Sequence, residues 1–219
     1  MIRIANLFDA PTLAGLQAAL ADPALFVDGR RTAGWHARQV KRNLQARRGG
    51  VVDQALAQIE AALLAHEVFV AAARPKAIVR LLISRYEPGM TYGTHVDDAL
   101  MGGVRTDLSF TLFLSDPESY QGGALVMDDA YGERDVKLPA GELILYPSTT
   151  LHRVEPVASG VRLAAVGWVR SFVRDSSRRE VLFDLETALR SVHEVAGKTP
   201  LFDLLAKTRS NLLRMWAED

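Results

Sequence analysis

Between residues 77 and 173 the chain alternates short apolar segments with breaks of glycine, proline, aspartate or serine. The segments 77–86, 108–114, 124–127, 135–138, 142–146 and 161–169 read as strands. Several short strands in series, with no helix between them, restrict the fold to an antiparallel sandwich or barrel. The centre of the chain is therefore expected to form a double-sheet jelly roll.

The flanks carry a different signal. From 11 to 73 the chain is rich in Ala and Leu, and Val52, Leu56, Ile59 and Leu63 recur at spacings of three and four, which places them on one helix face. After Asp175 helices return. Val181, Leu185, Leu189 and Val192 form one stripe, Gly197 and Pro200 break it, and Leu201, Leu204, Leu205, Leu212 and Leu213 mark a second helix. The fold class is α+β: a helical region over 1–76 packing on the core, a jelly-roll domain over 77–175, and a helical extension over 176–219. The C-terminal pair would cover an exposed sheet of its own subunit or form the contact of a homo-oligomer.

Composition removes several function classes. The chain has no cysteine, so disulfides, zinc–thiolate sites, iron–sulfur clusters and thiol nucleophiles are excluded. Any metal must be held by His, Asp, Glu or backbone oxygen. Lys and Arg total 26 and so do Asp and Glu, which argues against a general polyanion binder and against nucleic acid as a partner. Residues 1–11 hold Arg3 and Asp9 without a long apolar run, which is not the pattern of a signal peptide. The most apolar stretch, 61–73, is interrupted by His66 and Glu67 and is too short to span a bilayer. A cytoplasmic location and no membrane partner are expected.

The chemistry is concentrated in His95-Val96-Asp97. On a strand these two side chains point to one face, where an imidazole and a carboxylate can hold one metal ion. With one further His they would form the facial triad of non-haem iron oxygenases, which leaves coordination positions open. With five His in the chain, His-x-Asp alone is a weak signal. The strand-like run Leu143-Ile144-Leu145-Tyr146-Pro147-Ser148 adds weight, because His152 follows it and can return beside the first pair. Arg162 follows on the next strand and shares a face with the small residues Ala164 and Val166. A guanidinium on a mostly buried strand needs an anionic partner, which a dicarboxylate would supply.

These residues resemble the 2-oxoglutarate- and iron(II)-dependent oxygenases, and within them the bacterial PKHD-type hydroxylases, a prolyl-hydroxylase-like family associated with iron uptake. The likeness spans nearly the whole chain. It includes Asp28-Gly29-Arg30-Arg31-Thr32-Ala33-Gly34, Val40-Lys41-Arg42-Asn43-Leu44-Gln45, Arg85-Tyr86, His95-Val96-Asp97, Gln121-Gly122-Gly123 and the run from Leu145 to Val154 that contains His152. Arg170-Ser171-Phe172-Val173-Arg174-Asp175 matches the close of the catalytic domain. The resemblance implies a double-stranded β-helix. It also implies that His95, Asp97 and His152 ligate Fe(II), and that Arg162 pairs with the distal carboxylate of 2-oxoglutarate. Tyr86 and Tyr92 match aromatic positions that line the pocket. O2 would be a second cosubstrate and ascorbate would keep the iron reduced. Such an enzyme hydroxylates a peptide or protein side chain, or a small molecule, with release of succinate and carbon dioxide. Two departures stand out. Ala124 follows Gly122-Gly123 where a polar residue is common. Leu112 and Phe113 stand where animal prolyl hydroxylases carry tyrosine, so the hydroxyl that assists Arg162 must come from Tyr86, Tyr92 or Ser109.

Three further histidines lie outside this set. His66 reads as structural, His193 as surface, and His36 as a group of the polar N-terminal stretch within reach of the site. The basic stretch from Arg30 to Arg48 has two readings, a solvated surface or a lid that recognises an anionic or peptide substrate. A protein of another class would use the same fold to hold iron without turnover, as an iron-responsive binding or scaffold protein. Consumption of 2-oxoglutarate separates the two.

Overall fold

The computed structural model describes residues 1–32, 34, 37–129 and 132–218. Along these the chain runs through β1 (Ile2–Ile4), α1 (Ala10–Ala19), β2 (Phe26–Asp28), α2 (Ala37–Val40), β3 (Lys41–Arg42), β4 (Leu44–Ala46), α3 (Gly50–Ala65) and α4 (Glu67–Ala73). The strand-rich part follows with β5 (Pro75–Tyr86), β6 (Thr91–His95), β7 (Leu100–Met101), β8 (Val104–Arg105), β9 (Leu108–Phe113), β10 (Tyr120–Gly122), β11 (Leu125–Asp129) and β12 (Gly132–Val136). It continues with β13 (Leu143–Pro147), β14 (Leu151–Val154), β15 (Val157–Gly160) and β16 (Arg162–Ser171), and closes on α5 (Ser176–Ala196) and α6 (Pro200–Trp216).

Two antiparallel sheets carry the architecture. The larger has the order β1-β13-β9-β16-β5-β4-β2 and the smaller β12-β11-β14-β6-β3. Alternation along the strands of the larger sheet explains why they are apolar throughout. On β13, Leu143 and Leu145 join a core shared with α1, α3 and α4, while Ile144 and Tyr146 join a second core with Leu125, Met127 and Val154 of the smaller sheet. β9 repeats this, with every residue buried. A strand covered on both faces reads as a continuous hydrophobic run.

The expected helix face of α3 is present: Val52, Leu56, Ile59 and Leu63 are buried, with Ala55 beside them. His66 ends α3 and caps α4, its Nδ1 accepting from the Phe69 amide at 3.5 Å, which gives it the structural role expected. Phe69 then meets Phe110 of β9 edge-to-face at 5.8 Å and 89°, a favoured aromatic arrangement.

Several expectations are corrected. The region 1–76 is not only helical: β1, β2 and β4 extend the larger sheet and β3 the smaller. These strands have two or three residues each, too few to show a period. The expected strand 124–127 runs to Asp129, and that at 135–138 begins at Gly132 and ends at Val136. The two pair as a hairpin, Leu125 opposite Val136 and Asp129 opposite Gly132. The C-terminal stripe differs at its first residue: Leu189 is buried and Leu185 and Val192 half-buried as expected, but Val181 is exposed and Leu182 is covered instead. α5 packs mainly on α4 and α6 on α5, so the pair covers a helical layer. Glu186 of α5 ties the three together, accepting from Arg74 at 3.2 Å and from Arg209 at 2.7 Å. Among the described residues no single helix is long and apolar enough to cross a membrane.

The Phe69–Phe110 contact joins the helical layer to the larger sheet. Phe69→Ala is expected to lower unfolding free energy by about 3–5 kcal/mol, read as a shift of the urea midpoint at unchanged slope.

Candidate metal and cosubstrate site

Strand pairing brings the two histidines together. In the smaller sheet β14 runs against β6 with His152 opposite His95, and Met127 of β11 flanks His152 on its other side. The imidazole centroids lie 4.3 Å apart. Each ring is oriented by a backbone carbonyl two residues earlier: His95 Nδ1 lies 2.9 Å from Gly93 O and His152 Nδ1 3.0 Å from Thr150 O. A carbonyl only accepts, so each Nδ1 carries the proton and each Nε2 keeps its lone pair.

Asp97 completes the group by a different route from the one expected. β6 ends at His95, so Asp97 is not on the strand but in the segment that leaves it. Its carboxylate is held from the opposite sheet, where Ser109 Oγ of β9 donates to Oδ2 at 2.6 Å and Ser148 Oγ stands 2.8 Å from Ser109. Ser109 is thus a partner of Asp97 rather than the hydroxyl that assists Arg162. One ligand atom from each of His95, Asp97 and His152 falls within 4.8 Å of the others, and His152 Nε2 is 3.9 Å from Asp97 Oδ2. Two imidazoles that present Nε2 and one carboxylate suit a divalent ion of the iron type and leave its other positions to small ligands. Tyr92 stacks on the His95 ring at 3.7 Å and 17°.

Arg162 opens β16 opposite Tyr86 of β5 and is only 1% exposed. Its guanidinium lies over the Tyr86 and Phe113 rings at 5.2 and 5.3 Å. Nε and Nη2 are buried with no hydrogen-bond partner among the described residues. Such a charge is costly to leave unpaired, and the nearest protein groups are aromatic. Gly123 makes the space: at φ +64°, a Cβ there would stand 2.9 Å from Val157 and 3.1 Å from Arg162 Cδ. The glycine pair of Gln121-Gly122-Gly123 is therefore explained by the close approach of Arg162. Burial raises the Tyr86 and Tyr120 hydroxyls above the usual tyrosine range, and the charge of Arg162 opposes that rise in both. Tyr120, absent from the sequence-based set, is thereby a further hydroxyl in the electrostatic reach of Arg162.

The triad and Arg162 line one cavity between the two sheets. Its wall also includes Lys41, Asn43, Gln45, Arg80 and Trp168, which sequence reasoning did not assign. One signal was available: Arg80, Leu82, Ser84 and Tyr86 alternate on one strand, so Arg80 shares the face of Tyr86. Lys41 departs from the solvated-surface reading of the basic stretch. It is 5% exposed, and burial together with the charge of Arg80 brings its ammonium down to about 8. Arg30 and Arg48 of that stretch are held at the surface, on Asp28 and Asp53. His193 is exposed. Trp35 and His36 lie outside the described residues.

Comparison with known proteins agrees with this geometry. Residues 81–170 match the 2OG-Fe(II) oxygenase superfamily, and residues 176–218 match the PKHD-type hydroxylase C-terminal domain. A PKHD-type hydroxylase of Synechococcus elongatus is 54% identical over 223 residues, covering 100% of both chains. One from Maricaulis maris is 55% identical over 194 residues, 89% of each. Among solved structures, a Pseudomonas putida prolyl-4-hydroxylase superposes with a TM-score of 0.57 at 25% identity, over 78% of this chain and 91% of that one. The Trichoplax adhaerens prolyl hydroxylase in complex with a hypoxia inducible factor peptide shares the fold, with a TM-score of 0.58 over 82% of this chain and 86% of that one. Fold and site together define a 2-oxoglutarate-dependent non-haem iron dioxygenase. Within that class, the chain belongs to the PKHD-type hydroxylases.

The hydrogen bond from Ser109 orients Asp97, and removal of such a partner commonly costs 10–100-fold in metal affinity. Ser109→Ala is expected to weaken divalent-metal binding by about that factor at unchanged circular dichroism, measured by competitive chelator titration.

Proposed function

We propose that His95, Asp97 and His152 ligate Fe(II), that Arg162 receives the distal carboxylate of 2-oxoglutarate, and that the enzyme hydroxylates a C–H bond of a substrate entering the same cavity. On this reading the two facing antiparallel sheets are a double-stranded β-helix. When bound, the iron activates O2, and oxidative decarboxylation of 2-oxoglutarate to succinate and carbon dioxide drives transfer of one oxygen atom to the substrate. The protein contributes position and shielding. The Nδ1–H donors of His95 and His152 keep their rings aimed at the metal, and Ser109 fixes Asp97 from the other sheet. Tyr86 and Phe113 exclude water around Arg162, so that a carboxylate arriving there meets an undersolvated cation.

The observation that carries this reading is the buried guanidinium with two unpartnered nitrogens in the cavity that holds the triad. An iron-responsive scaffold would need the triad but not Arg162. Likeness to the Pseudomonas putida prolyl-4-hydroxylase supports hydroxylation of a side chain or a comparable small molecule. The proposal extends to a role in iron homeostasis, with ascorbate keeping the metal reduced.

Anaerobic addition of Fe(II) and 2-oxoglutarate is expected to produce a weak visible charge-transfer band, and admission of O2 to produce succinate. His152→Ala should abolish both, and retention of near-normal turnover by that variant would refute the assignment. Arg162→Ala removes one partner of a buried charge pair, a loss of about 2–5 kcal/mol. It is expected to raise the 2-oxoglutarate concentration for half-saturation by roughly two to three orders of magnitude.

A further inference from the structure

The cavity has two cationic ends. β16 and β5 pair with Arg162 opposite Tyr86 and Trp168 opposite Arg80. Six residues separate each pair from the other, roughly 20 Å of strand at about 3.3 Å per residue. Arg162 belongs to the end assigned to 2-oxoglutarate. The other end presents Arg80, the Trp168 indole N–H and, from β3 on the smaller sheet, Lys41. The triad lies beside this end, since Ser109, which holds Asp97, is the register partner of Trp168 on β9.

These three groups are all donors. Among the described residues Trp168 Nε1 is buried with no hydrogen-bond partner. Neither Lys41 nor Arg80 forms an ion pair or side-chain hydrogen bond with another described residue. The ammonium of Lys41 instead rests over the Tyr92 ring at 5.0 Å, and the two cations repel each other. Two acidic groups line this end. Asp97 is committed to the triad, and Asp98 lies against Gly34, where a Cβ would stand 3.2 Å from its Oδ1. Asp97 and Asp28 attract the Lys41 ammonium only at a distance, and two like charges and a buried N–H with no hydrogen-bonded acceptor among the described residues destabilise the empty cavity. A single carboxylate would satisfy all three.

We propose that the substrate carries a carboxylate that docks between Lys41 and Arg80 by the indole N–H of Trp168, beside the triad and at the far end of the cavity from Arg162. This rests on the oxygenase reading of the site and narrows its substrate class to small organic acids. Lys41 and Arg80 select the substrate, while Arg162 selects the cosubstrate.

The test uses the full chain loaded with Zn(II) and N-oxalylglycine, so that triad and Arg162 are filled and no turnover occurs. N-acetylproline and further N-acetyl amino acids are titrated calorimetrically beside their uncharged methylamides. The acids are expected to bind at least about tenfold tighter than the methylamides, with the preference lost in Lys41→Met and Arg80→Met and kept in Lys41→Arg and Arg80→Lys. The conservative pair separates loss of charge from loss of fold. Equal affinity for acid and amide across the panel, including binding of neither, overturns the proposal. So does a preference that survives both Met variants. Failure of the oxygenase reading shows separately, as absence of N-oxalylglycine binding and of the charge-transfer band in the unsubstituted protein before any acid is added.

Discussion

The pairing of β14 against β6, with His152 opposite His95, is the constraint on which the site depends. It places two imidazoles on one face of a sheet with centroids 4.3 Å apart. The same backbone supplies the carbonyls of Gly93 and Thr150 that fix both tautomers. A slip of one residue in this register would turn His152 to the opposite face. Met127 of β11, paired on the other side of His152, holds the strand from that flank. The third member, Asp97, lies beyond the strand end and is secured from the opposing sheet by Ser109 and Ser148. The constellation therefore staples the two sheets together and is preorganised by both.

The second constraint is electrostatic. Arg162 is nearly inaccessible to solvent, and aromatic rings rather than carboxylates surround it. The fold accommodates the side chain through Gly123 and leaves its charge for a ligand. This is the local disagreement between stability and packing expected at a functional site. The same pattern recurs more weakly at the mouth, where Lys41, Arg80 and Trp168 face a common space. A cavity polarised in this way is cationic at both ends, with the metal triad beside the Lys41 and Arg80 end.

Much of this was legible in the chain. The helix face Val52, Leu56, Ile59 and Leu63 follows from a local period of 3.6, and the strand series follows from short apolar runs and their breaks. His95, Asp97, His152 and Arg162 could be selected because their chemistry is specific and their order along the chain is informative. The strands β1 to β4 were not legible, being two or three residues long and stabilised by partners far away in sequence. The stripe of α5 departs from expectation only at its start, where Val181 and Leu182 are both apolar and packing decides which is covered.

The sequence by itself determined the class of chemistry, since the residue types able to hold a metal and a dicarboxylate are few and no cysteine competes with them. It also determined the alternation of helical and extended parts, because periodicity is set by neighbours along the chain. The tertiary structure decided that Asp97 is held by Ser109, that Arg162 Nε and Nη2 have no hydrogen-bond partner among the described residues, and that Lys41, Arg80 and Trp168 line one cavity. Each of these depends on which strand lies beside which and in what register, and that choice is made by burial and pairing between segments distant in sequence.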